Sequence, residues 1–355
     1  MRALVFHGPR ELSVEERPEP RPGPGEALLE IVATGICGSD LHGYTGETGR
    51  RHPGQVMGHE TVARVLDDPS GAHPAGSLVT VNPVIGCRAC PACAAGSPQR
   101  CPDRRVIGVQ ADLSAAFAER MVAPARNVVA LPAGTPPEIG ALVEPLAVGY
   151  HAVRRGAPTG DDIVYVLGGG PIGQAVAIAA RRLGVTSIVV AELDEARRGL
   201  LARLGFTTVD PSGQPPEAVV RILGGAPSLV VDAVGATATL AGALEISAPG
   251  ARIVLVGMAA PSVELAAYAI STGERSVLGS FTYDDDDFTR TAAWAGEHAG
   301  ELAPLIDSRI SLEEAPAAFR ALAGGELVAG KILVRPSTVS PAACAGPGTG
   351  SSRAL

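Results

Sequence analysis

Short apolar runs bounded by turn-forming residues fill the first third of the chain. Ala3-Leu-Val-Phe6 and Ala27-Leu-Leu-Glu-Ile-Val-Ala33 read as strands on either side of a Pro/Gly-rich turn region, Pro18 to Gly25. Thr61–Leu66, Leu78–Val81, Phe117–Val122 and Asn127–Leu131 continue the pattern, which predicts a small β-rich domain. The period changes near Glu138, where helical spacing runs to Arg155. Ile163-Val-Tyr-Val-Leu167 is then continuously apolar, as in a strand covered on both faces of a parallel sheet. An alanine-rich helix to Leu183, a strand at Ile188–Ala191 and a helix at Glu195–Leu204 follow. Leu229–Asp232 and Arg252–Val256 repeat the strand pattern. Strand alternating with helix predicts βαβ units and a doubly wound parallel sheet, an α/β fold. The alternation ends after Val277–Ser280. Helices at Phe288–His298 and Leu312–Ala323 and a last strand at Lys331–Val334 complete the pattern.

These shifts divide the chain into a β-rich unit at 1–147, a nucleotide-binding unit at 148–282, and a return to the first unit at 283–336. Residues 337–355 are rich in Pro, Ser, Gly and Ala and are expected to be a disordered tail, with Cys344 a bystander in it. At 355 residues the chain is long for a single core, in keeping with more than one domain. The net charge of −8 and the lack of any Lys/Arg-rich run argue against nucleic acid as a partner. Of 29 basic residues only Lys331 is a lysine. No apolar run is long enough to span a membrane, and the N-terminus lacks a signal-peptide pattern, so the cytoplasm is the expected compartment.

Two stretches carry recognisable chemistry. Cys87, Cys90, Cys93 and Cys101 form a C-x2-C-x2-C-x7-C lobe, which suits four tetrahedral thiolates on a structural zinc. Gly168-x-Gly170-x-x-Gly173 follows an apolar strand and opens a helix, as a dinucleotide phosphate turn requires. Glu192 ends the next strand, 19 residues after Gly173, where a carboxylate meets the adenosine ribose and favours NAD. Arg197 and Arg198 nearby leave NADP possible. A third group is less regular. Cys37, Ser39, Asp40 and His42 precede Gly58-His59-Glu60, and a catalytic zinc needs three protein ligands with one open position. Cys37 and His59 are two candidates, and Glu60 or Glu144 the third. Arg50, Arg51 and His52 between these motifs read as solvated, the alternative being contact with an acidic or polyhydroxyl substrate. Asp284 to Asp287 reads as a solvated acidic loop.

In this order, the stretches Cys37 to His42, Gly58 to Glu60, Cys87 to Cys101, Glu144-Pro-Leu146 and Gly168 to Gly173 resemble the zinc-dependent medium-chain alcohol dehydrogenase family over about residues 1–335. Glu144 is similar to the sorbitol, threonine and butanediol dehydrogenase branch, where Glu60 and Glu144 can each approach the metal. The resemblance implies a GroES-like catalytic domain, a Rossmann NAD-binding domain between its two parts, and a homodimer or homotetramer. It also implies two zinc ions per chain, with Asp40 orienting the zinc-binding histidine and Ser39 and His42 relaying a proton. Ile172, Arg197, Val256, Gly257 and Met258 fall where family members touch the dinucleotide. The activity implied is hydride transfer between a secondary alcohol (polyol, cyclitol, amino alcohol or diol) and NAD. The alternatives are a biosynthetic ketone reductase, a threonine 3-dehydrogenase-like activity, or a non-catalytic binding protein of the same fold. Ala115-Ala-Phe117-Ala-Glu119-Arg120 departs from the family pattern after the zinc lobe.

Overall fold

The computed structural model describes residues 1–336; the expected tail, Cys344 included, lies outside the described residues. The antiparallel part is organised on the long strand Glu26–Gly35. Its burial alternates along most of its length, as a strand with one face on a core requires. It pairs with Glu60–Asp67 on one side and with Arg120–Pro124 and Lys331–Arg335 on the other, within a seven-stranded sheet. The last strand of the chain therefore lies beside one of the first. Gly35 is opposite Leu333 in one pairing and opposite Glu60 in the other.

Between them comes a six-stranded, wholly parallel sheet. Its strand order is Thr207–Val209, Ser187–Ala191, Ile163–Leu167, Leu229–Asp232, Arg252–Leu255, Ser276–Gly279. The order reverses beside Ile163–Leu167, the crevice in which such sheets bind ligands. Helix Val143–Arg155 joins the two sheets, and one apolar core runs from Ala33 and Val62 through Val153 to Val164 and Val166.

Differences from the sequence pattern have local causes. The helical spacing from Glu138 begins as a 3-10 turn, Pro137–Leu142, before the α-helix proper. The strand expected at Phe117–Val122 runs Arg120–Pro124, and Ala118 only bridges Ala3. Strands Glu11–Glu16 and Ile306–Ser311 are polar or half-exposed and carry no clear apolar period. No helix among the described residues is long and apolar enough to cross a membrane.

The acidic run is not a solvated loop. Asp284 caps helix Asp285–Glu297 by accepting from the Asp287 amide at 2.8 Å. Asp287 itself is fully buried. It accepts from His151 Nδ1 at 2.6 Å and is paired with Arg154, which ties this helix to Val143–Arg155. The carboxylate is held below its ordinary range: burial opposes this, and the bonds from His151 and Arg154 outweigh it.

Candidate zinc and nicotinamide site

Helix Gly38–Thr45 positions the first set of candidate residues. Cys37 is its N-cap, and the Cys37 amide donates back to Asp40 Oδ2 at 3.2 Å, a reciprocal cap that fixes Asp40. Asp40 Oδ1 then faces His59 Nδ1 at 3.5 Å. His59 Nε2 is left toward the thiol side, 3.5 Å from Ser39 Oγ. Glu60 begins the adjoining strand. The donor atoms of Cys37, His59 and Glu60 all lie within 4.8 Å of one another. Three buried polar atoms here lack partners: Asp40 Oδ1, His59 Nδ1 and Glu60 Oε2. A sulfur, a nitrogen and an oxygen converging at this spacing, with orphaned acceptors behind them, fit zinc.

The field at this point is strongly negative. Burial alone would lower the His59 pKa, yet the nearby charges of Asp40 and Cys37 raise it well above the ordinary value. Burial, reinforced by Glu60, pushes Glu144 up to about 7, against the opposing pull of His59, Tyr283 and Lys331. Such groups are the ones a bound cation would stabilise in their metal-binding forms. Glu144 is the second residue of its helix and lies outside the tight donor group. Tyr283, fully buried, donates its hydroxyl to Glu144 Oε1 at 3.0 Å.

The four-cysteine lobe closes as a unit, its sulfurs within 4.8 Å of one another. Amide N–H groups of Cys87, Cys90 and Cys93 each donate to a neighbouring sulfur at 3.4 Å. Amides of Ala89 and Cys90 pull Cys87 down to about 6, whereas burial pushes Cys93 up to about 11. The cluster fits a structural zinc, with no side chain beyond the four sulfurs in the group.

The phosphate turn is shaped by two glycines. Gly168 has φ +91°, which a side chain would strain. A Cβ on Gly173 would lie 1.8 Å from the Gly168 carbonyl oxygen, so only glycine lets the helix start against the strand. Glu192 braces this turn: one carboxylate oxygen accepts from the Gly169 amide at 2.7 Å, the other from the Asp194 amide at 2.9 Å. Arg197 reaches over Gly170 and lies 3.8 Å from Glu192. Val256, Gly257 and Met258 follow strand Arg252–Leu255 at the same end of the sheet, with Met258 exposed.

Family models place these features in one lineage. Residues 23–133 match the alcohol dehydrogenase GroES-like domain, and residues 171–297 match the zinc-binding dehydrogenase domain. The chain belongs to the zinc-dependent medium-chain alcohol dehydrogenase family. It is 33% identical to L-galactonate-5-dehydrogenase of Escherichia coli K12 across 84% of this chain and 88% of that one. It is 29% identical to sorbitol dehydrogenase of Ovis aries across 96% and 98%. An alcohol dehydrogenase from E. coli CFT073, solved with NADH, superposes with a TM-score of 0.86 at 28% identity, across 94% of this chain and 99% of that one. Zinc and a nicotinamide dinucleotide thus serve this alcohol dehydrogenase.

Four residues of the dehydrogenase site carry no motif. Lys331 arrives on the last strand and donates to Glu60 Oε1 at 2.7 Å and to the Ile36 carbonyl at 3.2 Å. It keeps its charge: burial works against it, but Glu60 and Cys37 raise its pKa. Its being the sole lysine was the available signal. Tyr283 directly precedes the acidic run and carries no local signal of its own. Glu47 pairs with His42 Nδ1 at 2.6 Å on the exposed side of the relay helix. The fourth is Arg51, whose side chain is 3% exposed instead of solvated.

Proposed function

We propose that Cys37, His59 and Glu60 hold the catalytic zinc, with Glu144 beside the remaining position, and that the substrate is a polyhydroxylated secondary alcohol. The observation that carries this reading is the convergence of the three donor atoms within 4.8 Å next to Ser39. Glu60 has an oxygen to spare: Oε1 is engaged by Lys331 while Oε2 is buried without a partner. When bound, zinc supplies Lewis acidity toward the alcohol oxygen, and the nicotinamide accepts the hydride. The residues do the rest. Asp40 faces His59 Nδ1 and so keeps Nε2 turned to the metal side. Ser39 takes the alcohol proton, and His42, exposed and paired with Glu47, passes it to water. Without zinc, burial lifts the Glu144 carboxyl to about 7, and a bound cation would draw it back toward the carboxylate. Gly168, Gly170 and Gly173 receive the pyrophosphate, Glu192 the adenosine ribose, and Ile172, Arg197 and Val256–Met258 the remaining dinucleotide. The relatives named for sorbitol and L-galactonate support a polyhydroxylated substrate.

The division at 147/148 and 282/283 into a catalytic domain flanking a nucleotide domain is part of the same reading. So is a homodimer or homotetramer. Strand Ser276–Gly279 offers a free edge in the parallel sheet, and the neighbouring residues Leu265 and Tyr268 are exposed. Four reduced cysteines gathered to hold zinc fit the cytoplasm.

The test is NADH formation by zinc-loaded protein against sorbitol, aldonates, cyclitols, amino alcohols and diols, together with zinc content. Turnover of at least one polyhydroxylated alcohol, lost with one zinc per chain in Cys37→Ser and His59→Ala, is expected. Near-wild-type turnover by either variant sinks the assignment.

A further inference from the structure

Tyr283 joins the acidic helix to the zinc site. It lies between strand Ser276–Gly279 and Asp284, the cap of helix Asp285–Glu297. Its ring is fully buried and packs on Phe288, with centroids 5.1 Å apart. Thr282, just before it, has φ +47°, in the left-handed region that a β-branched residue rarely enters. The Thr282 hydroxyl is also buried without a partner. Strain of this kind persists only where the surroundings over-determine the backbone, and it concentrates at functional sites. Here the strained turn delivers one phenol to one carboxylate.

That carboxylate is Glu144, whose Oε1 accepts from the Tyr283 hydroxyl at 3.0 Å. Its Oε2 takes part in no hydrogen bond among the described residues and, unlike Glu60 Oε2, is not sealed from water. A partner serving only to satisfy a buried acid would leave no reason for the second oxygen to stay free. The charges of His59, Glu60 and Lys331 all act on Glu144. Glu144 thus stands beside the converging donors of Cys37, His59 and Glu60 but outside their 4.8 Å group. A reactive zinc keeps three protein ligands and one open position, and a carboxylate is itself a good zinc ligand. An unrestrained Glu144 would therefore compete for the open position.

We propose that Tyr283 is a positioning residue that keeps the catalytic zinc open. By holding Glu144 at Oε1 it stops this carboxylate from becoming a fourth protein ligand, and it leaves Oε2 free for the water or alcohol hydroxyl in the open position. The inference rests on the reading of Cys37, His59 and Glu60 as the zinc ligands. The phenol keeps its proton and only donates: burial, reinforced by Glu144, raises its pKa well above the ordinary value. A hydrogen bond to a carboxylate is among the strong ones, so its loss releases the Glu144 side chain to rotate toward the metal.

The experiment loads cobalt(II) in place of zinc and titrates imidazole, a small ligand for an open metal position, while following the visible bands. Cobalt in the four-thiolate lobe is already closed, so only the second ion responds. Wild type should bind imidazole. Tyr283→Phe keeps the ring on Phe288 and should weaken that binding by about tenfold or more. It should also surrender the second metal to a chelator more slowly, because a fourth protein ligand now holds it. With zinc and NAD, KM for the alcohol should rise by a similar factor, with kcat less affected. Tyr283→Phe made in a Glu144→Gln background should bind imidazole as Glu144→Gln alone does, since an amide is a poor zinc ligand. That pair also removes the stranded charge, and so carries the test if Tyr283→Phe by itself fails to fold. Unchanged imidazole affinity in Tyr283→Phe overturns the proposal, because the phenol would then only satisfy a buried acid. A tenfold loss that persists in the Glu144→Gln background overturns it in favour of a packing role. Wild-type protein that takes up cobalt in the lobe alone refutes the zinc-site reading itself.

Discussion

Replacing Lys331 by methionine tests how the end of the chain supports the zinc site. The Lys331 ammonium and the Glu60 carboxylate are 2.7 Å apart, and their side chains are 6% and 1% exposed. Glu60 Oε2 is already without a partner, so Lys331→Met leaves both oxygens of a fully buried carboxylate unsatisfied. Breaking a buried pair from one side costs about 3–5 kcal/mol. The escape is protonation, and holding a proton on an ordinary glutamate at pH 7.5 takes about 4 kcal/mol, so it offers little relief. The expected loss is therefore about 4 kcal/mol, or a Tm lower by about 8–16 °C at roughly 2–4 °C per kcal/mol. The double variant Lys331→Met with Glu60→Gln removes the stranded charge. It should recover at least about 1 kcal/mol of that loss in a double-mutant cycle. Thermal and urea unfolding of the zinc-stripped proteins measure both quantities, because bound zinc would itself engage Glu60 Oε2. A Tm within about 2 °C of wild type, with no coupling between the sites, would refute the reasoning: it would mean that Glu60 has another partner in solution.

Three further outcomes follow. Cys101→Ser places an alcohol at a fully buried sulfur position and should release one zinc per chain while lowering Tm, with the catalytic zinc retained; metal analysis with two zinc ions still bound would contradict the lobe assignment. Zinc-stripped protein should gain stability as pH falls from 7.5 to 5.5. Glu144, raised to about 7, and His59, raised well above its usual value, both bind protons more tightly folded than unfolded, so stability is lost as pH rises through their folded pKa values; a flat Tm across that range would mean the negative field is weaker than its geometry implies. Glu192→Ser should lower KM for NADP relative to NAD by about tenfold and also cost stability, because the carboxylate braces the Gly169 and Asp194 amides; an unchanged cofactor ratio would remove Glu192 from ribose recognition.

Much of this protein could be read from local order. Alternating apolar strands and helices specify βαβ units because each element must bury one face. The phosphate turn needs Gly168 for its φ of +91° and Gly173 for a contact that excludes a Cβ, so those requirements appear as residue types at fixed spacing. The thiolate lobe is likewise local, since all four ligands fall between Cys87 and Cys101. Cys37, Ser39, Asp40 and His42 share one short helix, and His59 and Glu60 one strand entry, so they too carry a linear signature.

Tertiary structure alone decided the pairings between distant charges. Lys331 reaches Glu60 because the final strand lies beside Glu26–Gly35, a contact between residues 271 positions apart. Tyr283 meets Glu144 across 139 positions, and His151 meets Asp287 across 136. Nothing local distinguishes Asp287, buried and paired, from Asp286 beside it, which is exposed and bonded to Arg290. Arg50 and Arg51 show the same limit. Their residue type is identical and their surroundings opposite, because only the packing of a loop on Gly43 removes one of them from water. A charge announces its sign in the sequence, but its partner and its solvation are set by where the chain brings it.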